Sequence, residues 1–269
     1  MKHITSRDNP FFKTLLKLAS SAKQRHEAGQ TLLDGIHLLQ AYLAVEKPIQ
    51  HLIINEAALH NSEFATLLKK IPAVPLTQFS DNLFAELSEL KTPSGILALI
   101  DIPTAAATSA RNKFCLLLED IQDPGNVGSI IRSAAGAGCD AIFLSKGCAD
   151  VWSPKVLRAA MGGHFALAIH ESANLLSVAQ ALPGKLFATS PHTTINLYQA
   201  DLRGEIAFAI GNEGAGLSQD LLAAAHQLVS IPMAGNLKSG NSTTHKVESL
   251  NVAAATAVCL FEAARQRSR

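Results

Sequence analysis

The run Ser230-Ile231-Pro232-Met233, followed after a polar interruption by Glu248-Ser249-Leu250-Asn251-Val252, decides the fold, because two similar islands precede it. The first is Glu119-Asp120-Ile121-Gln122-Asp123-Pro124-Gly125-Asn126-Val127-Gly128-Ser129-Ile130-Ile131-Arg132. The second is Gly211-Asn212-Glu213-Gly214-Ala215-Gly216-Leu217. Each island closes an apolar, strand-like run, turns on Gly or Pro, and enters a helical pattern. Three such strand-to-helix corners in one half-chain predict one shared site at the carboxyl ends of a parallel sheet.

Outward from these corners the same alternation continues. Apolar runs predict strands at 114–119, 141–144, 186–189, 206–210 and 228–231. Helical spacing predicts helices at 127–137, 154–161, 175–182, 218–224 and 249–267. Strands alternating with helices predict a parallel sheet covered on both faces. Residues 1–100 read as a separate small α/β unit. Asn9-Pro10 opens a helix carrying Phe11, Leu15, Leu16 and Leu18, accompanied by Lys13, Lys17, Lys23 and Arg25. Strands follow at 31–35, 52–54 and 96–100, with a helix through Leu38, Leu39 and Leu43. Residues 101–112 lack either periodicity and suit a linker.

Composition narrows the function. The 269 residues suit two domains, and 48% hydrophobic against 17% charged residues leaves ample material for cores. A net charge of +1 gives no global basic field, so a nucleic-acid partner has to be held by local patches. Cys115, Cys139, Cys148 and Cys259 have no C-x-x-C spacing and read as small buried hydrophobes in a reducing compartment. The ten histidines show no ligand spacing, and no metal is expected. With neither a signal-peptide core nor a run long enough to span a bilayer, no membrane association and a cytoplasmic protein are expected.

The corners carry the chemistry. Asn126 can cap the helix after it. Arg132 is a lone charge among Ile130, Ile131, Ala134 and Ala135; it either snorkels to the surface or works there. The glycine loop lacks the Gly-Lys-Ser/Thr of a Walker A motif and the spacing of a Rossmann fingerprint. Its Glu213 is more than a turn requires. Ser249 and Asn251, at the start of the last helix, either cap its N–H groups or face a ligand.

In this order and spacing the three islands resemble the motifs of the SpoU (TrmH) family of RNA 2′-O-ribose methyltransferases, within the SPOUT superfamily. The similarity runs over 116–267 and includes Lys155-Val156-Leu157-Arg158-Ala159-Ala160-Met161-Gly162 and, in the last helix, Leu260-Phe261-Glu262-Ala263 and Arg265-Gln266-Arg267. The first hundred residues resemble that family's ribosomal-protein-like substrate-binding domain. The resemblance implies an RNA substrate-binding domain at 1–100, a linker at 101–112 and a methyltransferase domain at 113–269, whose last segment threads through a loop to form a deep trefoil knot.

It implies S-adenosylmethionine as cofactor, held bent at Gly211, Ile231 and Leu250 and their neighbours Asn212, Gly216 and Met233. It implies a homodimer whose site is completed near the interface. Arg132 falls on the arginine proposed to activate the ribose hydroxyl. Because a guanidinium is a poor base, stabilising alkoxide charge or gripping the adjacent phosphate is an equally good role. Asn126 and Glu213 fall on orienting positions, and Ser249 and Asn251 near the same pocket. Lys155 and Arg158 are candidates for phosphate contacts, with an ordinary solvated helix face as the alternative. Lys13, Lys17, Lys23 and Arg25 could supply an RNA face on the same terms. The implied reaction is 2′-O-methylation of RNA, with ribosomal RNA first and transfer RNA second. The other class of function is a non-catalytic RNA-binding or ribosome-assembly factor. Between the last two motifs the family has few residues, whereas 236–246 here is a polar insertion. It reads as a tolerated surface loop, or as an RNA-touching lid using Lys238, His245 and Lys246.

Overall fold

The structure, a computed structural model, describes residues 2–71, 74–90, 94–104, 113–233 and 249–268. It forms two compact units: Met1–Thr104 with Asp150–Phe165, and Ala105–Ala149 with Ala166–Arg269. The linker expected at 101–112 falls mostly outside the described residues, and Asp101 is the last residue of a strand.

The first unit runs β1 (Lys2–Ile4), α1 (Pro10–Ser20), α2 (Ala22–Ala28), β2 (Gln30–Asp34), α3 (Ile36–Leu43), β3 (Ile49–Ile54), α4 (Glu56–Leu59), α5 (Ser62–Leu68), β4 (Leu76–Phe79), α6 (Asp81–Leu87) and β5 (Ile96–Asp101). Its sheet has the order β1-β4-β3-β5-β2. β1, β4 and β3 are parallel, while β5 is antiparallel to both β3 and β2. Asn9 starts α1 by accepting from the N–H groups of Phe11 and Phe12, and Pro10 occupies the position that needs no donor. Phe12, Leu15 and Leu18 then fall on one face and enter a core with Phe79, Phe84 and Leu97.

The basic helix expected from sequence is two helices. Ser21 leaves the helical region at φ −128°, ψ 116° and caps α2 by accepting from Gln24 N–H. That break turns Arg25 inward, so Arg25 does not belong to a solvated basic face: it is 4% exposed. Its Nε and Nη2 donate to Asp150 Oδ2 at 2.9 and 2.5 Å, and its Nη1 donates to the Leu18 and Ala19 carbonyls at 2.5 and 3.2 Å. Thr31 Oγ1 donates to the Trp152 carbonyl at 2.8 Å. These bonds place 150–165 in the first unit, whereas sequence alone assigned that segment to 113–269.

Replacing Asp150 with alanine strands a buried guanidinium, at a cost of about 3 kcal/mol. A fall in the urea midpoint of the corresponding size is expected, largely recovered by the apolar pair Arg25→Met with Asp150→Leu. An Asp150→Ala midpoint equal to the wild type's would show that the pair holds nothing.

The second unit begins with β6 (Phe114–Leu118), α7 (Pro124–Ala137) and β7 (Ala141–Leu144). After α8 (Pro154–Ala160), in the first unit, it continues with β8 (Ala168–His170), α9 (Leu175–Ala181), β9 (Lys185–Thr189), β10 (Ile206–Ile210), α10 (Gln219–Ala224), β11 (Gln227–Val229) and α11 (Val252–Arg267). The sheet order is β11-β9-β10-β6-β7-β8, and every pair is parallel. β6 and β10 are buried along their whole length, as expected for strands covered on both faces. Cys115, Leu117, Ala207 and Ala209 pack towards Leu175, Ala179 and Leu221 of α9 and α10. Alternate residues point the other way, where α7 packs on α11 and α11 reaches β10.

The end of α11 is fastened by Gln266, which accepts from Leu202 N–H and donates to the Ala200 carbonyl, and by Arg267 over the Phe114 ring at 5.0 Å. Cys115, Cys139 and Cys259 are buried, and burial pushes the Cys115 and Cys259 thiols up to about 12. The expected threading and the insertion at 236–246 involve residues 234–248, outside the described residues. Among the described residues no helix is long and apolar enough to cross a membrane.

Candidate active site

After β6 the chain moves to β7 and β8 on one side, and β9, β10 and β11 lie on the other. The gap between the carboxyl ends of β6 and β10 is therefore the topological switch point, where open α/β sheets hold ligands. The first two corners lie there, and Asn251 of the third reaches them.

The β6 corner enters α7 at Asp123, whose Oδ1 accepts from Asn126 N–H at 2.8 Å. Asp123 is thus the helix cap, and Asn126, expected to do that work, keeps its side chain for something else. Asn126 Nδ2 donates to Glu213 Oε1 at 2.5 Å, and its Oδ1 accepts from Asn251 Nδ2 at 3.0 Å. One amide therefore ties together all three corners, and its bond to the carboxylate is of the stronger, charge-assisted kind.

Asn251 fulfils the expected capping role and also turns its amide towards the first corner. Its Oδ1 caps α11 by accepting from Ala253 and Ala254 N–H, while its Nδ2 reaches Asn126. Ser249 and Leu250 precede that cap and are exposed; the helix starts at Val252, later than the 249 expected.

The β10 corner is shaped by Asn212. Its Oδ1 accepts from Gly214 and Ala215 N–H at 2.8 and 3.0 Å, and its carbonyl accepts from Gly216 N–H at 2.9 Å. Gly211 has no room for a side chain: a Cβ there would overlap the Gly216 carbonyl and the Leu217 nitrogen. Gly216 needs its freedom for another reason, a φ of 71°. At the third corner Ser230 bridges to Asn196, and Ile231, Pro232 and Met233 follow half-buried.

Arg132 lies on the exposed face of α7 with Ser129 and Gly136, and has no hydrogen-bond or ion-pair partner among the described residues. It is near the corners in sequence but not fastened to them. The other candidates belong to the first unit. Lys155 is exposed on α8, and Arg158 pairs with Glu89 at 3.7 Å. Lys17 is exposed in the last turn of α1, and Lys13 pairs with Asp8 at 2.8 Å.

Sequence reading left Glu119 and Asp120 without roles. Glu119 Oε2 accepts from Ser218 N–H at 2.7 Å, and the Asp120 carbonyl accepts from Asn212 Nδ2 at 2.9 Å. No spacing rule exposes either bond, since each links residues more than ninety positions apart.

Residues 113–261 match the SpoU rRNA methylase family, and residues 9–98 match the MRM3-like substrate binding domain. A 23S rRNA (guanosine(2553)-2′-O)-methyltransferase of Bacillus subtilis is 30% identical, over 97% of this chain and 98% of its own length. A crystal structure of an RNA 2′-O ribose methyltransferase superposes with a TM-score of 0.81 at 30% identity, covering 99% of this chain and 100% of that one. The SpoU methyltransferase AviRb of Streptomyces viridochromogenes, solved in complex with AdoMet, gives a TM-score of 0.79 at 26% identity, covering 96% of this chain and 98% of that one. The family match takes in more than half of the chain and all three corners: this protein belongs to the SpoU rRNA methylase family.

Proposed function

We propose that this protein methylates a ribose 2′-hydroxyl of ribosomal RNA, using S-adenosylmethionine, as a homodimer in the cytoplasm. The observation that carries the proposal is the Glu213–Asn126–Asn251 relay, which joins three corners at the switch point of the sheet. S-adenosylmethionine, when bound, supplies an electrophilic methyl carbon on a cationic sulfur.

The residues present fit that group. Glu119, Asp120 and Glu213 give the crevice the negative charge that suits a sulfonium. The closely packed Gly211 turn exposes backbone rather than side chain, and Ile231, Pro232 and Met233 offer an apolar, half-buried stretch for an adenine ring. Binding falls to Gly211, Asn212, Gly216, Ile231, Met233 and Leu250.

Within the crevice Asn126 is held from both sides, so its orientation is fixed before substrate arrives. Glu213 spends one carboxylate oxygen on Asn126 and offers the other to the ribose hydroxyl hydrogen; this aims the hydroxyl lone pair, and the carboxylate takes up the proton released as the oxygen gains the methyl group. The Arg132 guanidinium meets the negative charge that develops on the ribose oxygen. Ser249, exposed beside the cap of α11, borders the same crevice. Lys155, Arg158, Lys13 and Lys17, all in the first unit, supply phosphate contacts that position the RNA without reading its sequence. The match of residues 9–98 to a substrate binding domain supports that role for Lys13 and Lys17.

The homodimer is supported by the outer side of α7 and α11. Phe261 is 52% exposed on α11, and its ring lies 3.7 Å from where a Cβ on Gly136 of α7 would be. An exposed aromatic beside small residues is a surface suited to a second copy. Phe261→Asp is expected to sediment as a monomer, and a dimer unchanged by this substitution would remove that face from the proposal.

The function is tested by incubating the purified chain with tritiated S-adenosylmethionine and either ribosomal RNA or transfer RNA from cells lacking the gene. Label retained on ribose in ribosomal RNA is the expected result. Label in transfer RNA alone would move the substrate. RNA binding without label would favour an assembly factor.

A further inference from the structure

Asp120 is one of four described residues other than glycine with positive φ, at 55°. Such a conformation is uncommon outside glycine and is tolerated best by Asn and Asp. Asp120 adopts it two residues after β6, at the edge of the switch-point crevice, and its N–H, its carbonyl and one carboxylate oxygen are engaged. Its N–H donates to Ser145 Oγ at 2.9 Å, and Ser145 Oγ donates back to its Oδ1 at 2.6 Å. Its carbonyl accepts from Asn212 Nδ2 at 2.9 Å. Ser145 follows β7, and two residues on, Gly147 leaves room for the carboxylate, since a Cβ at 147 would overlap it.

The bonds run in one direction. Ser145 fixes the turn at Asp120, and the turn aims the Asp120 carbonyl at Asn212. Asn212 in turn gathers Gly214, Ala215 and Gly216 into the tight loop that displays Glu213. Glu213 is the far end of the relay through Asn126 to Asn251. The β7 corner, silent in the sequence, is thereby linked to the cofactor loop.

We infer that Asp120 is a positioning residue for the reaction, locked in its left-handed turn by Ser145 so that its carbonyl holds Asn212, and with it Glu213, in the geometry that binds cofactor. The inference rests on the assignment of the Gly211–Gly216 loop to S-adenosylmethionine. A turn that merely needs positive φ would be improved by glycine, which adopts it without strain. A positioning carboxylate would not, because glycine gives up the bond that locks the turn. The two roles therefore predict opposite outcomes for one substitution.

The test uses the full chain, with S-adenosylmethionine affinity by calorimetry, kcat and KM for cofactor on ribosomal RNA, and melting temperature. Asp120→Gly is expected to weaken cofactor binding roughly tenfold, raising KM and lowering kcat, the scale of one lost orienting hydrogen bond, while melting stays level or rises. Asp120→Asn, which keeps both the conformation and an acceptor for Ser145, is expected to stay within about twofold of wild type. Ser145→Ala is expected to reproduce the Asp120→Gly defect, and the double variant to be no worse than either, as for residues acting as one unit. Asp120→Gly with unchanged cofactor affinity and kcat would overturn the inference. Failure of the wild-type chain to bind S-adenosylmethionine at all would overturn the cofactor assignment beneath it, a result separable because it appears before any variant is made.

Discussion

Arg132→Ala is expected to lower the rate of methyl transfer by about 10²–10³-fold, the loss seen when one charge-stabilising donor is removed from a transition state. Folding should be untouched. Arg132 is exposed and has no partner among the described residues, so its removal opens no cavity and strands no group. Cofactor affinity should also hold, because the residues around Gly211 and Ile231 stay in place. The defect should therefore fall on kcat in single-turnover assays, with S-adenosylmethionine binding and melting temperature at wild-type values. Lysine should not rescue it: an ammonium carries the charge but not the planar fork that can meet an oxyanion and a phosphate together. An alanine variant within threefold of wild type would remove Arg132 from the reaction and leave it an ordinary surface cation. Its lack of a local partner distinguishes it from Arg158, whose pairing with Glu89 already gives it a structural use.

The second large effect is expected from Gly211→Val, which should reduce cofactor affinity by at least about tenfold. The cause is steric. Any Cβ at 211 overlaps the Gly216 carbonyl and Leu217 nitrogen, backbone atoms that cannot rotate away. Forcing extra bulk into a packed site costs on the order of 1–3 kcal/mol, and a loop that relieves the overlap by opening no longer presents Asn212 and Glu213 as described. Gly214→Ala is the control, since a Cβ there meets only Asn212 Oδ1 at 3.5 Å, an ordinary contact. Calorimetric titration of S-adenosylmethionine into the two variants checks the contrast. Equal affinities would mean that the loop yields freely and that its close packing is incidental.

What could be read from the sequence follows the physics of each element. β6, β7, β9 and β10 are continuous apolar runs, the signature of strands buried on both faces, and they fall within a residue or so of the expected positions. β1, β4 and β8 were not foreseen. Lys2–Ile4, Leu76–Phe79 and Ala168–His170 are too short to show a period, and they become strands because a neighbour supplies the ladder.

The helix expected to carry Arg25 outward failed at Ser21, where a capping hydroxyl competed with the helix and won. The partner that accepts Arg25, Asp150, is 125 residues away. The same distance hid the assignment of 150–165 to the first unit.

At the site, the three motifs pick out Asn126, Glu213 and Asn251, but not how these side chains meet. Asn126 looked like a cap because it opens a helix, and Asp123 took that place. The bonds from Asn126 to Glu213 and Asn251 span 87 and 125 positions, beyond any local rule. Asp120 carried no signal, because positive φ in a residue other than glycine is a property of the fold around it.

The central claim, that the relay at the switch point together with Arg132 methylates ribose in ribosomal RNA, is tested most directly by mapping 2′-O-methyl groups across total RNA from cells with and without this gene. The account predicts the loss of a methylated ribose in ribosomal RNA, restored by the wild-type chain and not by Arg132→Ala. A map unchanged by deletion, with the protein still bound to ribosomal particles, would contradict it and make the chain an RNA-binding factor that keeps the fold without the reaction.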